Sequence, residues 1–348
     1  MAYVAAATLT TVTLTAVCKG TTSNRDILFN LSVPATGGTC VTSGGAAVTG
    51  AGILPAAGTG TEDITNCLAV LLNSTYERIV LGTVDGPNAL KLSNQLVTQA
   101  GVLTGRLQHG VMASNDSLVN ATTIAQTTLN AYRMQVVWML NGETHPGEIA
   151  SAMGALRVQR EQNYPNANFD GLQLLGVAPH AMRQDRPSHA TSNSALNNSV
   201  TPISTTDDGK AVVQRSIQTH SLNGSTPDFN TLDTSGAVVP DFVLTSALLK
   251  WTSMAANNVV AADNTAFSEK RAPPGVLTPD VVNATWYAML KGFERGDGFP
   301  GPLIQLVDTY PPVSNWDSSG QRIMSTIPAV NAVAPHQMGA LITPIPAP

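Results

Sequence analysis

Gln135-Val136-Val137-Trp138-Met139-Leu140, followed within a few residues by Pro146 and an Ala-rich run to about residue 162, is the stretch that decides the fold. The first piece is apolar almost throughout, with no polar alternation after Gln135. That pattern reads as a strand covered on both faces, as in a parallel sheet flanked by helices. Proline lacks the N–H that a first helical turn leaves unpaired, so Pro146 reads as the opening of a helix. A strand followed by a helix over a short link is the repeating unit of an α/β layer.

Toward the N-terminus the same alternation continues. Residues 117–132 place Leu118, Ala121, Ile124, Ala125 and Leu129 on one side of a helix. Residues 109–113 read as a strand. The turn Asp85-Gly86-Pro87-Asn88 leads into a helix over about 89–103, and residues 78–81 form a short strand. Before it, Ile64, Cys67, Leu68, Leu71 and Leu72 lie at helical spacing after a cap at Thr61 or Asp63. Residues 11–18 alternate, with Val12, Leu14, Ala16 and Cys18 on one face, and 26–33 is the expected hairpin partner. Residues 34–60 are rich in Gly, Thr and Ala and read as a loop with one weak strand.

Toward the C-terminus, 172–177 reads as a short strand, and the polar stretch 183–199, partly helical, as a boundary. Residues 200–206 and 211–219 form a hairpin around Asp207-Asp208-Gly209-Lys210, where the Asp-Gly pair is the turn signal. Pro240-Asp241 is expected to start a helix to about 256, and Thr278-Pro279-Asp280 another. Residues 303–309 read as a strand. The end of the chain, 321–345, is apolar and nearly uncharged, with prolines at 328, 335 and 344. It contains two short extended pieces, 323–327 and 338–342. Proline removes a backbone donor, so such pieces suit sheet edges. An exposed apolar edge of this kind invites pairing with another chain.

The expected fold class is therefore α/β, in the mixed α+β sense, with two α/β layered domains, a β-hairpin start and an extended C-terminal arm. The divisions are 1–60 (hairpin and Gly-rich loop, part of the first domain), 61–199 (α/β domain) and 200–348 (C-terminal domain, with the arm over about 321–348).

Of the 348 residues only 12% are charged and 43% are hydrophobic. A weakly charged surface rich in Thr, Asn, Ser and Gly suits repeated packing against copies of itself. The net charge of −5 and the absence of a Lys/Arg run argue against nucleic-acid binding. Cys18, Cys40 and Cys67 are too few and too widely spaced for a disulfide framework or a zinc site, and fit folding in a reducing cytosol. Residues 1–20 lack the basic start of a signal peptide. No apolar run reaches the length of a membrane span, so no membrane insertion is expected.

Chemistry is hard to find. Glu143, His145 and Glu148 cluster in Asn-Gly-Glu-Thr-His-Pro-Gly-Glu, which could serve acid/base or metal work. The plainer reading puts Glu148 in a helix's first turn, near its positive end, and His145 in a loop. The six histidines sit in no serine- or cysteine-hydrolase context. The Gly-rich stretch 37–60 lacks the lysine of a phosphate-binding loop. The four tryptophans, at 138, 251, 286 and 316, read as packed against apolar neighbours. No catalytic residue, metal or cofactor is expected.

Several segments in order resemble the tail sheath proteins of contractile-tailed bacteriophages, of the Mu-like type. They are Val12-Thr13-Leu14-Thr15-Ala16 with Lys19-Gly20-Thr21 and Asn24; Asp63-Ile64 with the helix after it; and His145-Pro146-Gly147-Glu148-Ile149-Ala150 before Leu175-Gly176-Val177-Ala178-Pro179. Later come Asp208 to Arg215, Gly224-Ser225-Thr226-Pro227-Asp228 with Leu232-Asp233, Val276-Leu277-Thr278-Pro279, and Trp316-Asp317 through Ile327-Pro328 and Val330-Asn331. The family usually carries a long stretch, including an N-terminal arm, before the strand that begins here near Thr11. It also carries a basic motif where this chain reads Asn257-Asn258-Val259-Val260-Ala261-Ala262-Asp263-Asn264, and Val-Asn-Gln-Leu where it reads Val330-Asn331-Ala332-Val333.

The resemblance implies a structural subunit of a contractile sheath, built as stacked hexameric rings around a tail tube and contracting to drive the tube through the host envelope. Its implied partners are neighbouring copies of itself, the tail tube protein, and baseplate and tail terminator proteins, in a virion tail assembled in the host bacterial cytoplasm. Arms of one subunit add strands to a neighbour's sheet. The residues expected at that joint are Ile323, Met324, Ile327, Val330, Val333, Met338, Leu341 and Ile342. A secreted or surface β-rich binding protein is the alternative that composition leaves open.

Overall fold

The computed structural model describes residues 63–332 apart from 75, 102–103, 230 and 264–272, together with four short strands near the start. Those strands are β1 (Tyr3–Ala7), β2 (Val12–Ala16), β3 (Cys40–Val41) and β4 (Ala47–Val48). β2 pairs antiparallel with β1, Tyr3 opposite Ala16. The partner expected for it, 26–33, lies outside the described residues.

The central layer is a five-stranded sheet in the order β5 (Arg78–Val80), β6 (His109–Ser114), β7 (Met134–Trp138), β8 (Thr201–Thr205), β9 (Ala211–Val213). The first three pairings are parallel, and the β8–β9 hairpin closes the edge antiparallel. Gly209 sits at the hairpin turn with φ +76°, a conformation glycine adopts without a Cβ penalty. The sheet thus runs across residues 183–199, the stretch read above as a boundary.

Helices cover both faces. On one lie α1 (Thr65–Leu71), α2 (Gly86–Gln99), α3 (Leu118–Thr122) and α5 (His189–Asn197); on the other lies α4 (Pro146–Glu161). The strands divide their side chains between two cores. Met112, Met134, Val136 and Trp138 pack with Leu92 and Leu96 of α2. Val111, Ala113, Val137 and Met139 pack with Ile149, Ala150 and Met153 of α4. Leu92 and Leu96 have no exposed surface, so each stabilises the fold by roughly 1.5–3 kcal/mol.

Local chemistry sets the helix starts. Asp85 caps α2 by accepting from the Asn88 N–H at 2.8 Å, with Pro87 in the first turn. The helix begins inside the turn expected to precede it. α3 starts at Ser117, as expected, but runs on as a π-helix, Thr123–Leu129, that ends on left-handed Asn130. Residues 172–177 form no strand; only Gln173 bridges to Val212.

The C-terminal part is built on α6 (Ser235–Ala255) and α7 (Pro279–Arg295). α6 starts five residues before the proline expected to open it. Pro240 lies inside the helix, where it forgoes only the bond its N–H would give the Gly236 carbonyl. Smaller pairs accompany these helices: β10 (Leu222–Asn223) with β11 (Thr226–Pro227), β12 (Val259–Val260) with β13 (Val276–Leu277), β14 (Ile304–Gln305) with β17 (Val330–Asn331), and β15 (Val313–Asp317) with β16 (Arg322–Thr326). The strand expected over 303–309 is only β14. Val239, Val243, Leu290, Leu303, Ile304 and Val307 form one core here, and Ala247, Leu277, Val282 and Trp286 another. The whole is a mixed α+β fold.

Charged side chains, buried or half-buried, join the sheet to α6. Arg133, just before β7, gives Asp241 of α6 two hydrogen bonds, at 2.6 and 2.7 Å, and His109 of β6 gives it a third at 2.9 Å. Beside them, Arg157 of α4 donates to Glu161 one turn on, at 2.7 Å, and to Gln135. Arg78 of β5 also binds Glu161.

Candidate inter-subunit surface

The closing hairpin β15–β16 is where the sequence places its extended joint. Trp316 stands opposite Ile323, and Asn315 opposite Met324. Because side chains alternate across a strand, Ser314, Trp316, Ile323 and Ser325 share one face and Val313, Asn315, Met324 and Thr326 the other. The first face lies on α7: Trp286 Nε1 donates to Ser325 Oγ at 3.1 Å, and Ile323 packs on the core around Trp286. The second face is open, with Val313 and Met324 exposed, Met324 at 51%.

The hairpin's turn is held locally. Asp317 Oδ1 accepts from the Ser319 N–H at 3.0 Å and its hydroxyl at 2.6 Å, and Oδ2 accepts from Arg322 Nε at 2.9 Å. The Ser319 hydroxyl and Arg322 favour the charged carboxylate and lower its pKa to about 2. Gln321 takes the left-handed backbone, φ +47°, that reverses the chain.

The eight residues expected at the joint divide three ways. Met324 faces outward. Ile323 and Ile327 are half-buried against their own chain, Ile327 touching both C-terminal cores. Val330 is half-buried in β17, opposite Gln305. Val333, Met338, Leu341 and Ile342 lie outside the described residues. Where the described chain ends, the Ala332 N–H donates to the Leu303 carbonyl at 3.0 Å and its carbonyl accepts from Asn166 Nδ2 at 2.8 Å.

Two further features extend the surface. Among the described residues no third strand pairs with β15–β16 or with β14–β17, so each has unpaired edges. Leu244, Leu248 and Leu249 of α6 are exposed, on a helix that also exposes Thr245, Lys250, Thr252 and Ser253. The sequence places Leu244 and Leu248 with Val243, Ala247 and Trp251 on one apolar face of this helix; the structure buries Val243 and Ala247 and leaves both leucines exposed, together with Leu249. Their spacing beside the buried Val243 and Ala247 is the signal, since it makes α6 apolar on more than one side.

The acid/base candidates fall where the plainer reading put them. His145 caps α4, its Nδ1 accepting from the Gly147 N–H at 3.1 Å, and Glu148 sits in that helix's first turn. Glu143 is exposed. Among the described residues no group of three or more His, Cys, Asp or Glu is placed to hold a metal ion, and no helix is long and apolar enough to cross a membrane. Trp138 and Trp286 are buried in cores and Trp251 packs half-buried against that of Trp286, as expected, while Trp316 is half-buried on the closing hairpin.

No protein-family model and no curated protein sequence matches the chain. Solved structures do. The crystal structure of the sheath tail protein from Desulfitobacterium hafniense aligns at 12% identity with a TM-score of 0.51, over 77% of this chain and 57% of that one. The crystal structure of a sheath tail protein from Listeria innocua aligns at 10% identity with a TM-score of 0.54, over 84% of this chain and 62% of that one. The contracted helical sheath of the anti-feeding prophage, seen by cryo-electron microscopy, aligns at 9% identity with a TM-score of 0.52, over 81% of this chain and 74% of that one. This chain spans about three-fifths of the length of the two bacterial sheath tail proteins. Across most of its length, then, the polypeptide has the fold of tail sheath proteins.

Proposed function

We propose that this chain is a structural, non-enzymatic subunit of a contractile tail sheath. In this reading it polymerises as stacked hexameric rings around the tail tube, and contraction of the lattice drives the tube through the host envelope. The single observation that carries the reading is the likeness in fold to sheath tail proteins over 77% and 84% of the chain. The assignment to the Mu-like branch rests on the sequence segments quoted above.

The joint between subunits is the closing hairpin and the residues that follow it. The outward face of β15–β16, with Met324 and Val313, and the unpaired strand edges beside it offer backbone to an adjoining copy. The apolar residues Val333, Met338, Leu341 and Ile342 reach that copy as an arm. The body is an α/β layer that takes in β8 and β9 beyond residue 199, followed by a C-terminal part built on α6 and α7. Neighbouring sheath copies, the tube protein, the baseplate and the tail terminator are its partners, in a virion tail assembled in the host cytoplasm.

Negative-stain microscopy of the purified chain and of a variant lacking 335–348 tests this. The full chain forms tubes or rings, and the shortened chain stays folded, by its far-ultraviolet circular dichroism, without forming them. Polymers unchanged by the deletion would refute the joint. A full chain that stays monomeric at every concentration, with or without a tube protein, would refute the sheath role.

A further inference from the structure

We infer that Asn223 is a self-modification site: in the folded chain the Gly224 amide nitrogen displaces its side-chain amide, and water opens the resulting ring to aspartate or isoaspartate. The inference is independent of the sheath reading, because it rests on one hairpin of a single chain.

The tripeptide Leu-Asn-Gly occurs at 140–142 and again at 222–224. Asparagine before glycine favours the attack, because glycine has no side chain to keep its nitrogen away from the asparagine Cγ. The local sequence leaves the two sites alike, and the fold separates them.

Asn141 is locked. Its backbone is left-handed, φ +49°, and its Nδ2 donates to Asp185 Oδ1 at 3.0 Å. Its own N–H donates to the Asn115 carbonyl at 3.1 Å. Gly142, whose nitrogen would attack, is buried and donates to the Met139 carbonyl at 3.2 Å. Attack at this site first requires breaking such bonds.

Asn223 is held by little. It ends β10, and Gly224 and Ser225 turn the chain into β11. Asn223 and Gly224 are both exposed. Among the described residues, neither the Asn223 side chain nor the Gly224 N–H makes a hydrogen bond. The hairpin has two residue pairs, and one of them contains Pro227, which has no N–H to give Leu222. The Leu222 carbonyl accepts from Asn130 Nδ2 at 2.8 Å instead. The chain is thus clamped before Asn223 and loose after it. So small a hairpin opens readily. Rotation about the Asn223 backbone then brings the Gly224 nitrogen onto Cγ.

The step needs water and no oxidant or reductant. The Gly224 nitrogen bonds to Cγ, the Cγ–Nδ2 bond breaks, and ammonia leaves with the proton that the nitrogen gives up. Water then adds to either ring carbonyl. Addition at Cγ restores the backbone as aspartate. Addition at the backbone carbonyl routes the chain through Cγ as isoaspartate, which lengthens it by a carbon and breaks the pairing of residue 223 with Thr226.

Peptide mapping by mass spectrometry tests this on the full, unassembled chain, aged at mildly alkaline pH either folded or in urea. Electron-transfer fragmentation separates isoaspartate from aspartate. In the folded chain, conversion at Asn223 should outrun that at Asn141 by at least about tenfold, since each hydrogen bond to be broken slows the step by roughly fivefold. In urea the two sites should convert at similar rates, and isoaspartate should be among the products. Equal rates in the folded chain, or a difference that persists in urea, overturn the inference. So does a product at 223 that is aspartate alone, as direct hydrolysis would give.

Discussion

Trp286 Nε1 donates to Ser325 Oγ at 3.1 Å, and by that bond α7 grips the inner face of the closing hairpin. The indole is 3% exposed and Ser325 is exposed, so water can approach the bond only from the serine's side. Ser325→Ala removes the acceptor and should lower stability by about 1–3 kcal/mol. Urea unfolding of the unassembled protein measures it. A change below a few tenths of a kcal/mol would mean that the Ser314 hydroxyl, 2.9 Å from Ser325, takes over the bond.

Ile323 and Met324 are neighbours with opposite duties. Met324→Asp places a charge on the open face and should change stability by less than about 0.5 kcal/mol, while polymer formation is lost. Ile323→Ala empties part of the core around Trp286 and should cost about 1–2 kcal/mol, less than for a fully buried isoleucine. Sedimentation of assembled material set beside urea midpoints separates the two. Equal loss of stability in both variants would contradict the assignment of faces.

Glu161 neutralises two arginines at once. Glu161→Ala leaves Arg157, itself 2% exposed, without its carboxylate and should cost about 3–5 kcal/mol. Replacing Arg157 and Glu161 together by methionine and leucine should cost less than Glu161→Ala, because Arg157 is no longer left buried and unpaired, but not become neutral, because Arg78 still loses its carboxylate. Unfolding midpoints of the single and double variants give the comparison.

Acid acts on this network in one direction. Burial opposes the charge on Glu161 and on Asp241, but their arginine partners, and for Asp241 also His109, outweigh it and lower both pKa values. Their contribution is present above the ordinary carboxylate range and is lost as pH falls through the folded values. His109 has a folded value of about 4, so between 6.5 and 4 the unfolded chain takes up a proton that the folded chain refuses. Stability should therefore fall steadily from pH 6.5 downward. His109→Gln should flatten the part of the profile above pH 5, as read by urea midpoints at each pH.

Gly296 ends α7 at φ +77°, and a Cβ there would lie 2.7 Å from the Gly301 carbonyl carbon and oxygen. Gly209 has φ +76° with open space around it. Gly209→Ala should cost roughly 1–2 kcal/mol from backbone strain alone. Gly296→Ala should cost more, because the obstacle is backbone and cannot rotate away. Thermal midpoints of the two variants test the order.

The sheet was legible because its strands are apolar on both faces and its helices start with plain signals, Ser117, Pro146 and Pro279. α6 was misplaced because proline is ambiguous: the same residue that opens a helix at Pro146 sits inside one at Pro240, where one forgone bond is tolerated. Residues 172–177 are apolar enough for a strand but make a single bridge, since apolarity signals burial and not pairing. The ionic tie between sheet and α6 was invisible. His109 and Asp241 are 132 residues apart, and nothing local links them. Arg157 was the one readable clue, since it continues the buried stripe of Ile149, Ala150 and Met153 on α4. At the candidate joint, periodicity found the extended pieces, but which residues face inward depends on α7, a helix distant in sequence.

Ala332 is held on both sides: its N–H by Leu303 in the C-terminal core, its carbonyl by Asn166 beyond α4. A tug on the chain beyond it therefore does not first unzip the narrow hairpin upstream. The strain divides at one residue between two bodies of the molecule, so whatever is fastened to that end is moored to the whole particle and not to its rim.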